Sequence, residues 1–123
     1  MQIINYPDTN ILIRYFTKDN TGLFNISYKI LTQTNCYISE LVIVETVYIL
    51  ENRYNLNKLE AVCPIIELLT SVNIISSEYL LDALSLYTNV NLSFYDCLIL
   101  KEVKFKKFTL KTFDKNLLKE YTK

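Results

Sequence analysis

The stretch Gln2-Ile3-Ile4-Asn5-Tyr6-Pro7-Asp8-Thr9-Asn10-Ile11-Leu12-Ile13-Arg14-Tyr15-Phe16 reads as a short strand running into a helix. Gln2 to Tyr6 is an apolar run of strand length. Asp8, Thr9 and Asn10 then offer side-chain caps, and Ile11, Leu12, Tyr15 and Phe16 recur at the three- and four-residue spacing of a helical stripe. The stripe stops near Asp19, Asn20 and Gly22. Three further runs of strand length, Cys36 to Ser39, Val72 to Ser76 and Phe108 to Phe113, are each followed by helical periodicity.

The intervening helices are expected over Leu23 to Gln33, Glu40 to about Tyr54 with Ser39 as cap, and Asn57 to about Thr70. Pro64 should kink or break the last of these, because it removes a backbone donor and crowds the preceding turn. Further helices follow Ser77 and Ser93, the latter from Phe94 to about Lys106, and a short one covers Lys115 to Tyr121. Strands alternating with helices imply right-handed crossovers, a parallel sheet and an α/β fold with helices on both faces. In such sheets ligands bind beyond the carboxyl ends of the strands.

The chain has 123 residues, half of them hydrophobic and 21% charged, which fits a single domain spanning 1–123 and excludes a disordered tail. Thirteen basic and thirteen acidic side chains cancel overall. They are unevenly placed: eight lysines face three acids between Lys101 and Lys123, a local charge of +5, so residues 1–100 carry −5. That basic segment can attract phosphate, or can be the solvated face of ordinary helices. No apolar run reaches the length of a membrane span, and Asp8 and Arg14 interrupt the N-terminal apolar stretch, so a soluble, non-exported, cytoplasmic protein is expected. Three cysteines without metal-binding spacing and the absence of histidine exclude a disulfide scaffold, a zinc finger and histidine-based catalysis.

Four acids stand out by position. Asp8 and Asp114 directly follow expected strands, Asp96 lies in the first turn of a helix, and Glu45 lies within the third helix. Asp8 and Asp114 are equally placed to act as N-caps, and Ser93-Phe94-Tyr95-Asp96 fits the capping pattern in which the acid reaches back to an exposed backbone donor. Glu45 is flanked by Val42, Ile43, Val44 and Val47 and shares a stripe with Leu41 and Tyr48, so burial is expected, and a buried carboxylate needs a partner, a proton or a metal. Carboxylates converging without histidine or cysteine make a hard-oxygen site suited to Mg²⁺ or Mn²⁺. A cation held there can activate water and stabilise charge on phosphate oxygens, which suits phosphodiester hydrolysis.

In this order the segments resemble a known family. Asp8-Thr9-Asn10, followed by an apolar helix carrying Arg14, is similar to the amino-terminal motif of PIN domains such as the VapC-type toxins. Val44-Glu45-Thr46-Val47-Tyr48 resembles their internal glutamate helix, Ser93-Phe94-Tyr95-Asp96-Cys97-Leu98 their third motif, and Thr112-Phe113-Asp114-Lys115-Asn116-Leu117 their ending. The resemblance implies a three-layer α/β/α fold around a short parallel sheet, with Asp8, Glu45, Asp96 and Asp114 as catalytic, metal-binding residues. Thr9, Asn10 and Arg14 match supporting positions. Glu40 competes with Glu45, but five residues rotate it about 140° away, so the role goes to Glu45 alone. The resemblance further implies a Mg²⁺- or Mn²⁺-dependent ribonuclease acting on RNA, a toxin with a cognate antitoxin, and a homodimer. Pro7, directly before Asp8, and the single glycine depart from the family's pattern. A catalytically inactive PIN-like module that binds a partner is the alternative. A phosphoacceptor receiver domain fits poorly, because the acidic pair after its first strand is missing.

Overall fold

The computed structural model describes residues 2–123. They group into two compact units, one ending at Ser77 and one comprising Glu78–Lys123.

In the first unit, β1 (Cys36–Tyr37) and β2 (Ile74–Ile75) pair in parallel with Cys36 opposite Ile74, and Asn5 makes a further parallel bridge to Cys36. The expected first strand therefore narrows to a single residue. Ile3 and Ile4 are exposed and have no face to bury, and Pro7 brings no backbone donor to extend the ladder. The Asn5 carbonyl accepts from Tyr37 N–H at 2.9 Å, and the Ile75 carbonyl accepts from Ile38 N–H at 2.8 Å.

The same unit holds four helices: α1 (Thr9–Thr17), α2 (Thr21–Gln33), α3 (Glu40–Asn52) and α4 (Lys58–Leu69). Asp8, Asn20, Ser39 and Asn57 cap them through their side chains, as each residue type predicts. Asn20 thus opens α2 rather than closing α1. The left-handed residue that ends α1 is Lys18, with φ of 55°, while Gly22 lies within the first turn of α2. Leu12, Leu31, Ile38, Ile43, Leu50, Val62 and Ile65 are fully or almost fully buried in this unit. Helix α4 continues through Pro64. Pro64 and Glu60, whose carbonyl the proline cannot serve as a helical donor, are both exposed residues.

The second unit holds α5 (Leu80–Tyr87), α6 (Phe94–Lys106) and α7 (Lys115–Tyr121). Ser77 does not cap α5. The capping position is Tyr79, whose side chain does not cap the helix but donates through Oη to Glu102 Oε2 at 3.2 Å, and Ser77 Oγ is buried with no partner. Residues 108–113 form no strand either: Phe108, Thr109, Lys111 and Phe113 are exposed, only Leu110 and Thr112 are half-buried, and the Leu110 N–H donates to Tyr121 Oη. The architecture is therefore mostly helical, with seven helices and one two-stranded parallel sheet among the described residues. No helix among them is long and apolar enough to cross a membrane.

The sheet is tied to α2 by Asn73, whose Nδ2 donates to the carbonyls of Leu31 and Thr34, both at 2.8 Å. Truncation strands two half-buried acceptors at once. We expect Asn73→Ala to lower stability by about 1–3 kcal/mol. Asn73→Asp, which cannot donate, should lose at least as much, both read as a lower urea midpoint with an unchanged m-value.

Candidate active site

The first unit carries Asp8 and Glu45. Asp8 leaves the Asn5 bridge through a buried Pro7 and caps α1, its Oδ1 accepting the Ile11 N–H at 3.2 Å. Only that oxygen is engaged, and the carboxylate is exposed. Thr9 is buried at the first helical position and Asn10 is exposed beside it. Arg14 points to the other end of α1, where its Nη1 donates to both carboxylate oxygens of Asp19 at 2.9 and 3.0 Å. Together with the Tyr54 hydroxyl, this arginine holds the Asp19 carboxyl below its usual range.

Glu45 is exposed, contrary to the burial expected from its apolar neighbours. Helix α3 is apolar on more than one face. Its buried stripe is Val42, Ile43, Thr46, Val47 and Leu50, while Leu41 and Tyr48, 78% and 62% exposed, share the solvent face with Glu45. The carboxylate makes no hydrogen bond or ion pair, so no partner is needed to offset desolvation. Glu40, in the first turn, has a buried Oε1 with no partner.

The second unit carries Asp96 and Asp114. Ser93 Oγ accepts the Asp96 N–H at 3.1 Å, which is one half of a capping box. The other half does not form: the Asp96 carboxylate does not return to the Ser93 backbone and makes no hydrogen bond. In α4, by contrast, Asn57 and Glu60 complete both halves. Asp114 caps α7 with Oδ1, which accepts from Asn116 and Leu117 N–H at 2.9 and 3.0 Å and leaves Oδ2 unengaged.

Each of the four acids therefore keeps at least one free carboxylate oxygen, two acids in each unit. The PIN domain family matches residues 6–123. The chain belongs to the PIN domain family. No curated protein matches it significantly. PIN domains are typically metal-dependent nucleases that use divalent cations. The donors present suit such a cation, being hard carboxylate oxygens in a chain without histidine. Among the described residues, no three acidic or cysteine side chains are gathered closely enough to hold a metal ion.

Two cavities were not expected from sequence, although the basic segment that lines the second was. Tyr6, more than half exposed, lines a cavity of about 430 Å³ with Asp8. Within the second unit, Lys101, Lys104, Lys107 and Lys123 line a cavity of about 620 Å³ together with Phe108 and Tyr121. The cluster of lysines was the legible signal for the second. The first had only the Tyr-Pro-Asp order.

The half-formed box makes a testable distinction. Ser93→Ala should cost about 1 kcal/mol as a lost cap. Asp96→Asn should stay within about 0.5 kcal/mol by thermal denaturation, as expected of a surface group without a partner.

Proposed function

We propose that the protein is a Mg²⁺- or Mn²⁺-dependent endoribonuclease that hydrolyses RNA phosphodiester bonds and acts as the VapC-type toxin of a toxin–antitoxin pair. The observation that carries this reading is that all four motif acids retain free carboxylate oxygens although three of them sit in helix-capping segments. In this account the chain is a single three-layer α/β/α PIN domain over residues 1–123, a reading supported by a family match to residues 6–123. Asp8, Glu45, Asp96 and Asp114 would hold the cation, which would supply Lewis acidity at the scissile phosphate. Thr9 and Asn10 support Asp8 at the first turn of α1. Arg14 acts structurally, through Asp19.

Lysines bring the substrate's backbone to a chain with no net charge. Lys106 is paired with Glu102 at 2.7 Å and Lys123 with Glu120 at 3.0 Å. Lys101, Lys104 and Lys107 make no ion pair and border one cavity, where they can contact phosphates. A cognate antitoxin, a homodimer and a cytoplasmic setting complete the proposal by family resemblance. The alternative, an inactive partner-binding module, is favoured by the hydrogen bonds that Asp8 and Asp114 give to capping.

The test is cleavage of a structured RNA pool by antitoxin-free protein with Mg²⁺ or Mn²⁺, with EDTA, and with Asp8→Asn. Loss of cleavage with both chelator and variant supports the nuclease, and full activity in EDTA contradicts it. Glu45→Gln should abolish cleavage while changing metal-free stability by less than about 0.5 kcal/mol, because its exposed carboxylate has no partner. For Lys104→Ala and Lys107→Ala we expect a raised KM and a salt dependence of RNA binding shallower by about one unit of log–log slope per lysine.

A further inference from the structure

The cavity beside Asp8 is unlike a plain capping site. Its walls are aromatic and aliphatic, from Tyr6, Pro7, Ile11 and Ile30, and its polar groups come from Asn5 and Asp8. Apolar walls with a few polar groups are suited to a flat heteroaromatic ring, whereas a phosphate would meet only the Asp8 carboxylate and no cation.

Tyr6 is held in place rather than free to swing. Its neighbour Asn5 is bridged to β1, with the Asn5 N–H donating to the Asn35 carbonyl and its own carbonyl accepting from Tyr37, both at 2.9 Å. The Tyr6 ring meets the Tyr37 ring at 6.1 Å between centroids with a 30° tilt, and it remains 57% exposed. On its other side stands Pro7, buried, with a fixed φ that also restricts the backbone of the residue before it. Tyr6 and Asp8 are thereby set one rigid residue apart, and the proline that departs from the family's pattern is what sets them.

We propose that Tyr6 is the stacking platform for an unpaired nucleobase of the substrate, seated in the cavity next to Asp8. This rests on the ribonuclease reading for the identity of the ligand. A base within a duplex is already stacked on both faces and cannot lie on Tyr6 without being extruded. Every unpaired base offers a face, so stacking on Tyr6 tolerates any sequence.

The test is binding of a short RNA carrying 2-aminopurine, followed by its fluorescence with Ca²⁺ in place of Mg²⁺ or Mn²⁺, as a single strand and annealed to its complement. The single strand should bind wild type and Tyr6→Phe alike, with the fluorophore quenched, and the duplex should bind much more weakly. Tyr6→Ala should weaken single-strand binding about 5- to 150-fold, the usual range for one lost base–aromatic stack. Ile30→Trp, which fills the cavity and keeps the platform, should weaken it too. No binding by wild type, equal binding of duplex, or unchanged binding by both Tyr6→Ala and Ile30→Trp overturns the proposal. If binding follows the predicted pattern but no cleavage occurs with Mg²⁺ or Mn²⁺, the base site stands and the nuclease reading falls.

Discussion

The parallel pairing of Asn5, Cys36 and Ile74 is the constraint from which the first unit's functional edge follows. Parallel strands end on the same side, so the segments leaving them, Pro7-Asp8, Ser39-Glu40 and Ser76-Ser77, all emerge at one edge of the pairing. The pairing is short, with two residues in each strand, and its security comes from the side chains around it. Asn73 holds the end of α2, and Asn5 Nδ2 donates to Thr34 Oγ1 at 3.1 Å. A ladder of this length fixes direction and register while the packed helices supply most of the burial.

Helix capping and catalysis ask for the same chemistry in this protein. An acid that follows an extended segment lies where backbone N–H groups are unsatisfied and where the helix dipole favours negative charge. Asp8 and Asp114 use one oxygen for that purpose and keep another. Asp96 is relieved of it by Ser93, and Glu45 lies beyond the first turn altogether. Capping therefore orients two of the carboxylates without consuming them.

Much of this was legible in the sequence because capping residues and helical stripes are local. The starts of α1, α3, α4, α6 and α7 follow from Asp8, Ser39, Asn57, Ser93 and Asp114, each of which forms the side-chain cap its chemistry predicts. Strand extent was not local. Residues 108–113 have strand composition but offer no continuous buried face, and Gln2 to Tyr6 contributes only Asn5 to the ladder. Glu45 was misread for a related reason: in a helix apolar on several faces, the pattern does not say which face meets the core. Ser77 has a capping side chain, but the helix begins two residues beyond its reach. The Tyr6 cavity is closed by Ile30, twenty-four positions from Tyr6, which no local pattern encodes.

The central proposal is that the motif acids bind a divalent cation. Calorimetric titration of the full chain with Mn²⁺ tests it most directly, comparing wild type with Asp8→Asn from the first unit and Asp96→Asn from the second. The account predicts saturable binding by wild type and clearly weaker binding by both variants, with all three proteins equally folded. Wild-type affinity retained in either variant, or no binding by folded wild type, would contradict it.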